Sequence, residues 1–255
     1  MEIKNYNIND VIKMANTLKL KGVESNLNKM LELAILEKWT NETLLYNLFN
    51  EELIRKEKAL KQAIIKRANF PQIKYLSSIV REELPESMQV ILPKLETLDF
   101  IKEGRNVVLT GNPGTGKTHV AIALGVEACK QGYRVLFTTI HQLLTKIHET
   151  RSQRTLHQLE LAFMKYDLVI CDELGYITLT KDNADMLFNL LSLRAEIKST
   201  IVTTNLAFDK WETVFADKVL SGAIIDRITH KAYIANMIGE SYRTKETLKF
   251  NKQLL

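Results

Sequence analysis

The residues best suited to chemistry form one octapeptide, Gly111-Asn112-Pro113-Gly114-Thr115-Gly116-Lys117-Thr118. Its spacing matches the pattern G-x-x-x-x-G-K-[ST], in which glycines let backbone N–H groups turn inward around the phosphates of a nucleotide. The lysine of this pattern reaches the outer phosphates, and the threonine hydroxyl is a ligand for Mg²⁺. An apolar run, 106–110, precedes the octapeptide and a helical pattern, 118–130, follows it. This order predicts a phosphate-binding loop, since a plain Gly-Pro surface turn has no need of the Lys-Thr pair.

Two carboxylates form a second candidate site. Asp172 and Glu173 directly follow the apolar run 168–171, which is typical of a buried strand that delivers acids to a phosphate site. We expect Asp172 to hold Mg²⁺ together with Thr118, and Glu173 to act as general base on the attacking water. Exposed strand ends often carry acids, but the combination with the phosphate-binding loop favours the functional interpretation.

Four further polar residues are candidates for the same site. Asn205 follows the run 200–204 and is expected to orient water or sense the outermost phosphate, although loops also favour asparagine. His119 follows the octapeptide and is expected to line the nucleotide site without doing chemistry. Spacing alone leaves Arg227 and Arg243 undecided between surface positions and contacts that stabilise phosphate charge.

Strand-like and helix-like segments alternate after residue 105. The predicted strands are 106–110, 134–138, 168–171, 200–204 and 232–237, and helical patterns lie between them. This alternation predicts an α/β fold with a mainly parallel sheet covered by helices on both faces. Ligands of such a sheet bind at the carboxyl ends of the strands, where the candidate residues fall.

The chain divides into three predicted parts. Residues 1–70 form a small all-helical domain, 71–104 a connector with three prolines, and 105–255 the domain that carries the candidate site. Apolar spacing and a helix-start signal at 40–43 predict one long helix, which runs to about residue 68. Its second half is strongly basic, so it is either a solvated face or a surface for nucleic-acid phosphates. The basic residues are Arg55, Lys56, Lys58, Lys61, Lys66 and Arg67.

Composition restricts the function classes. The chain has 255 residues, 45% of them apolar, and a formal net charge of +5, which permits an acidic partner without requiring one. Cys129 and Cys171 lie in apolar segments and cannot form a disulfide framework, which suits a reducing cytoplasmic location. We expect neither secretion nor a membrane span, because no segment approaches 18 consecutive apolar residues.

These motifs together resemble the IstB-like ATPases, helper proteins of insertion-sequence transposition in the AAA+ group, alongside the DnaC-like helicase loaders. The resemblance covers nearly the whole chain. The segments that carry it are LKLKGVESNLNKMLELA (18–34), RANFP (67–71), GNPGTGKTH (111–119), DLVICDELGY (167–176), TTNLAFDKW (203–211), AIIDRITHKAYI (223–234) and GESYR (239–243).

The resemblance implies a P-loop AAA+ core without a C-terminal helical lid, which binds ATP and Mg²⁺ and hydrolyses ATP. It also implies ATP-dependent assembly of several subunits on duplex DNA and delivery of target DNA to a cognate transposase. Arg227 then takes the arginine-finger position on a neighbouring subunit's ATP, and Arg243 becomes a second phosphate sensor. The resemblance also favours contact of the basic residues of the long helix with DNA or with a protein partner.

The sequence departs from the family pattern at two places. Arg194-Ala195-Glu196 replaces an Arg-Tyr-Glu triplet, and Thr203-Thr204-Asn205 replaces Thr-Ser-Asn, so neither change removes a catalytic group. One alternative function is a DnaC-like loader of a replicative helicase, which shares the core and prefers single-stranded DNA. A metabolic kinase is the other, but the sequence has no evident acceptor motif and no use for the basic helix.

Overall fold

The computed structural model describes residues 6–176, 178–215 and 218–253. Contacts divide the chain into two compact units, with the boundary between Ala63 and Ile64. Among the described residues, no helix has the length and apolar character that crossing a membrane requires.

The first unit is helical. It contains α1 (Ile8–Thr17), α2 (Lys21–Leu36) and most of α3 (Asn41–Arg67). The side chain of Asn7 caps α1 by accepting the Asp10 N–H, and the Asp10 carboxylate accepts the Asn7 N–H in return. Its small core consists of Ala15, Val23, Leu27, Met30 and Leu48. The predicted long helix is confirmed by α3.

The second unit is built on a parallel sheet. Its described strands are β1 (Val107–Thr110), β2 (Val135–Thr139), β3 (Leu168–Leu174), β4 (Ser199–Thr204) and β5 (Tyr233–Asn236). The order across the sheet is β2-β3-β4-β1-β5, and every neighbouring pair is parallel. Four of the predicted strands are confirmed within one residue at each end, and β3 extends three residues beyond the predicted 168–171, so that it includes Asp172 and Glu173. The strands β1 and β4 therefore end side by side, and β3 ends next to β4.

Helices cover both faces of this sheet. The helices of this unit are α4 (Glu86–Glu96), α5 (Asp99–Lys102), α6 (Lys117–Lys130), α7 (Ile140–Ser152), α8 (Leu156–Met164), α9 (Lys181–Ser192), α10 (Lys218–Thr229) and α11 (Tyr242–Gln253), and those in the apolar clusters cover the sheet. Alternate residues of β1 enter different apolar clusters: Val107 and Leu109 pack with α6, and Val108 packs with α7 and α9. Both faces of the sheet are thus buried, as the uninterrupted apolar strands predict.

The segment 71–104 takes part in this core. It contains two short 3-10 turns (Leu76–Ser78 and Arg81–Glu83) in addition to α4 and α5. Met88, Leu92 and Leu95 of α4 are at most 1% exposed and belong to the apolar cluster that includes α6. This segment therefore supports the same face of the sheet as the helix that follows the phosphate-binding loop.

Arg194 is a fully buried cation, 1% exposed. Its guanidinium donates to the carbonyl oxygens of Phe163 (2.7 Å), Tyr166 (2.9 Å) and Ser199 (2.8 Å). Burial lowers the pKa of Arg194 to about 10. These bonds join the end of α8 and the start of β4, so Arg194 holds the strand whose far end carries Asn205.

Replacing Arg194 with Met is expected to lower the free energy of unfolding by about 3 kcal/mol or more, because buried carbonyl groups lose their donor. Arg151→Met is the control. Its guanidinium pairs with Asp182 at 3.0 Å, but both side chains are more than half exposed, so its loss costs at most about 1 kcal/mol. Urea unfolding measures both variants, and equal losses would contradict the structural role of Arg194.

Candidate functional site

The phosphate-binding loop, the two acids and Asn205 meet at the carboxyl edge of the sheet, the edge where the parallel strands end. The octapeptide follows β1, Asp172 and Glu173 lie at the end of β3, and Asn205 follows β4. Pairing of Thr110 with Thr204 and of Leu174 with Thr204 brings these three ends together. The predicted site is therefore assembled from neighbouring strands, as expected for an open α/β sheet.

Glycines of the loop have backbone conformations that other residues avoid. The φ angles of Gly111, Gly114 and Gly116 are +138°, +80° and +91°. A Cβ atom on Gly111 would lie 2.2 Å from the Met237 carbonyl oxygen, and one on Gly114 would lie 2.2 Å from the Ser241 Oγ. The loop can therefore turn tightly only because these positions lack side chains.

Lys117 begins α6 and lies within the loop. Its side chain is largely buried, and its Nζ donates to the carbonyl oxygens of Gly111 (2.7 Å) and Asn112 (2.6 Å). Burial lowers the pKa of Lys117, while the Asp172 carboxylate opposes that shift. Loop carbonyls therefore hold the ammonium group at the start of α6. The positive end of the helix dipole lies at the same place, so both groups favour binding of an anion there.

Thr118 and Asp172 contact each other across the site. The Thr118 hydroxyl donates to the Asp172 carboxylate, at 2.9 Å from Oδ1 and 3.2 Å from Oδ2. Asp172 is only 4% exposed. The two oxygen-bearing groups that the sequence assigned to Mg²⁺ thus lie within hydrogen-bond distance, although 54 residues separate them.

Glu173 is exposed at the same edge and has an unusual backbone. Its φ angle is +64°, in the left-handed region that residues with a side chain seldom adopt. The β3–β4 ladder is irregular between Cys171 and Leu174, and the Glu173 N–H donates instead to the Thr203 hydroxyl at 3.1 Å. This irregularity turns the Glu173 side chain out of the alternation that a regular strand would impose.

Asn205 carries a buried acceptor. No donor among the described residues bonds to its Oδ1. The turn that holds it is fixed, because the Leu206 carbonyl accepts the Thr110 hydroxyl at 2.8 Å and the Leu206 N–H donates to the Thr204 hydroxyl at 3.1 Å. An unsatisfied buried acceptor beside the acids is free to bond to water or a ligand.

The segment 237–243 packs against the phosphate-binding loop. The Met237 N–H donates to the Thr110 carbonyl (2.6 Å) and the Tyr242 N–H to the Gly114 carbonyl (2.9 Å). Arg243 is the second residue of α11 and is exposed beside this contact. The segment thus brings Arg243 to the same edge as the loop, which spacing alone did not reveal.

Arg227 lies at the opposite edge, where the strands begin. Asn106 directly precedes β1, and its Nδ2 donates to the carbonyl oxygens of Arg227 (3.4 Å) and Ile228 (3.1 Å). The exposed Arg227 side chain lines an open cavity of about 270 Å³ with His230 and Lys231. Arg227 is therefore the one predicted catalytic residue that this chain does not bring to its own loop.

His119 is half-buried on α6, next to Thr118. Its Nε2 lies 3.1 Å from the Ser78 hydroxyl, and burial lowers the pKa of the imidazole, with a smaller contribution from Lys74. His119 thus contacts the segment before β1, and its place in the lining of the nucleotide site stays a prediction.

The basic residues of α3 fall into two groups. Arg55 (2.7 Å) and Lys56 (3.6 Å) pair with the buried carboxylate of Glu52, which also accepts the Gly22 N–H. The Arg55 hydrogen bond is the main cause that lowers the pKa of Glu52 to about 2. The other four are exposed, and no described acid pairs with them: Lys58, Lys61, Lys66 and Arg67.

Comparison with known proteins identifies the family. The model described as IstB-like ATP binding protein matches residues 13–250, which is most of the chain. The chain belongs to the IstB-like ATP-binding protein family. The predicted resemblance to the IstB-like proteins of insertion sequences is thereby confirmed.

Relatives extend over almost the full length of this IstB-like chain. It is 34% identical, over 92% of its own length and 89% of the relative's, to a protein of Pseudomonas aeruginosa named as an ATP-binding protein of insertion sequence IS21. It is 31% identical, over 90% and 92%, to one of Bacillus thuringiensis subsp. berliner named likewise for IS232.

Solved structures confirm the fold. The chain is similar to the crystal structure of DnaI, with a TM-score of 0.55 and 20% identity over 69% of this chain and 93% of that one. It is also similar to AMPPCP-bound DnaA from Aquifex aeolicus, with a TM-score of 0.54 and 20% identity over 71% and 56%. This IstB-like chain thus has the fold of these two proteins, as expected.

Proposed function

We propose that this protein is a magnesium-dependent ATPase that assembles on duplex DNA when ATP is bound and delivers target DNA to a transposase. In this proposal, ATP hydrolysis controls release of the DNA. The observation that carries it is the contact of the Thr118 hydroxyl with the Asp172 carboxylate, 2.9 Å apart, beside a glycine loop that holds Lys117. Membership of an ATP-binding family supports the choice of ATP.

The loop residues fit the phosphates of ATP. Backbone N–H groups of 111–118 and the start of α6 form a site for an anion, and the Lys117 ammonium adds a full positive charge. His119 lines the adjoining surface. The residues that would hold the nucleotide are Gly111, Asn112, Pro113, Gly114, Thr115, Gly116, Lys117 and Thr118.

Thr118 and Asp172 fit Mg²⁺. Hard cations prefer oxygen ligands, and Mg²⁺ commonly takes one or two protein oxygens in addition to phosphate oxygens. When bound, the ion would neutralise charge on the phosphates. The hydroxyl and the carboxylate are already within 2.9 Å of each other, so little rearrangement is needed for them to share one ion.

Glu173 and Asn205 are suited to activating and orienting a water molecule. Glu173 is the exposed carboxylate at the edge of the sheet, and it would accept the proton of the attacking water as general base. Asn205 would orient that water, because its buried Oδ1 still has an acceptor position free. Both side chains belong to backbone segments fixed by threonine hydroxyls.

The position of Arg227 supports self-association. The four residues of β1 separate it from the loop by about 13 Å at 3.3 Å per residue, which is beyond the reach of its side chain. Arg227 therefore acts on the ATP of a neighbouring copy, where an arginine can stabilise charge on the transferred phosphate. Arg243, in contrast, acts on the nucleotide of its own chain.

Charge supports contact with nucleic acid. The chain carries a net charge of +5, and the α3 cations without an acidic partner are free to neutralise phosphates. Arg55 and Lys56 contribute less in this proposal, because Glu52 already holds them. Relatives named for insertion sequences favour target DNA and a transposase as partners, rather than a replicative helicase.

Replacing Glu173 with Gln is expected to lower kcat for ATP hydrolysis by at least about 10²-fold, because an amide cannot accept the proton. Affinity for ATP should change by less than about 3-fold, since the loop is untouched, and the variant should stay on duplex DNA. Phosphate release and fluorescent-nucleotide titration measure the two effects. Glu149→Gln on the exposed face of α7 is the matched control. Unchanged turnover in the Glu173 variant would refute its role as base.

Replacing Lys58 and Lys61 with Ala is expected to weaken duplex binding and to reduce the slope of log K against log salt by about 2. Lys13→Ala with Lys29→Ala removes the same charge from α1 and α2 and should leave the slope unchanged. Equal effects of the two double variants would exclude a specific role for α3. Tighter binding to single strands than to duplex would favour the helicase-loader alternative.

A further inference from the structure

One buried hydroxyl connects the two acids of the site. Thr203 lies on β4 and is 2% exposed. Its Oγ1 donates to the Asp172 Oδ1 at 2.5 Å and accepts the Glu173 N–H at 3.1 Å. A hydroxyl has a single proton, so donation to Asp172 fixes its direction and leaves a lone pair for Glu173.

The contact with Glu173 replaces a missing sheet bond. Because the β3–β4 ladder is irregular between Cys171 and Leu174, the Glu173 N–H bonds to a side chain of β4. The left-handed conformation of Glu173 (φ +64°) persists only where its surroundings hold it. The Thr203 hydroxyl is the described group that bonds to this N–H.

The contact with Asp172 fixes its carboxylate. The Thr203 and Thr118 hydroxyls both donate to Oδ1, from β4 and from α6 respectively. The carboxylate is buried between these donors and cannot rotate freely without breaking one of the bonds. Its remaining lone pairs are thus held in a constant direction.

We propose that Thr203 is a positioning residue whose hydroxyl sets Asp172 for Mg²⁺ and Glu173 for water at the same time. The proposal rests on the proposed function and deepens it. Thr203 touches neither ion nor water; it acts through the two acids. Serine in this position should therefore suffice, and valine, which has nearly the same shape, should not.

The test compares Thr203→Val and Thr203→Ser with the wild type. For Thr203→Val, kcat for ATP hydrolysis and the affinity for Mg²⁺ should each fall about 10- to 100-fold, as is usual when a residue that orients a metal ligand is lost. KM for ATP should change by less than about 3-fold. Thr203→Ser should keep kcat, the affinity for Mg²⁺ and KM near their wild-type values. Thr200→Val is the matched control on the same strand, because Thr200 lies at its other end, away from both acids.

A second readout does not depend on catalysis. Thermal melting with ADP alone should shift equally in wild type and Thr203→Val, whereas the extra shift on adding Mg²⁺ should require about 10- to 100-fold more Mg²⁺ in the variant. If wild type shows this Mg²⁺ shift but no ATP turnover, the proposal that the protein hydrolyses ATP is refuted. The role of Thr203 in positioning Asp172 for Mg²⁺ is then still decided by the difference in Mg²⁺ dependence between the variant and wild type. Absence of the Mg²⁺ shift in wild type would overturn both.

Two results overturn the Thr203 proposal alone. One is a Thr203→Val protein with wild-type turnover and wild-type Mg²⁺ dependence. The other applies if valine prevents folding: Thr203→Ala and Thr203→Ser both lose the methyl group but differ in the hydroxyl. The proposal requires Ser to behave as wild type and Ala to lose the Mg²⁺ response, so equal behaviour of these two variants contradicts it.

Discussion

The structure of the site depends on the contact between Thr118 and Asp172. It joins the start of the helix after β1 to the end of β3, and β4 lies between these two strands. That geometry exists because the strands are parallel and end at one edge, so that groups distant in sequence converge. The phosphate-binding loop, the carboxylates and the Asn205 amide all take their positions from this edge.

Holding this arrangement requires support from elsewhere in the chain. The glycines of the loop and Glu173 have left-handed conformations, which are stable only under tertiary contacts. The segment 237–242 packs on the loop through Met237 and Tyr242, and Thr203 fixes the acids. Arg227 lies at the opposite edge of the sheet, where the strands begin. In the proposed function, the site would therefore be divided between two copies of the chain, and ATP binding would be connected to assembly.

Local patterns predicted much of this fold and much of the site. Strands and the long α3 are readable because apolar spacing and helix-start signals act over a few residues, and the phosphate-binding loop has its own spacing. Other features depend on contacts between distant residues. Arg194 and Thr203 stood out in the sequence only as members of departures from a family pattern, and α8 was not predicted. The roles of Arg194 and Thr203 follow from hydrogen bonds to Phe163, Tyr166 and Asp172, which lie 28–31 residues away in the sequence.

The most direct test mixes two inactive variants, Lys117→Ala and Arg227→Ala, and measures ATP turnover on duplex DNA. Each variant alone should be inactive, the first because it cannot hold ATP and the second because no arginine reaches its neighbour's ATP. In a 1:1 mixture, random pairing joins an intact loop to an intact Arg227 at about a quarter of the interfaces, so turnover should recover to roughly that fraction of wild type. A mixture as inactive as its components, beside an active wild type, would contradict a site shared between subunits.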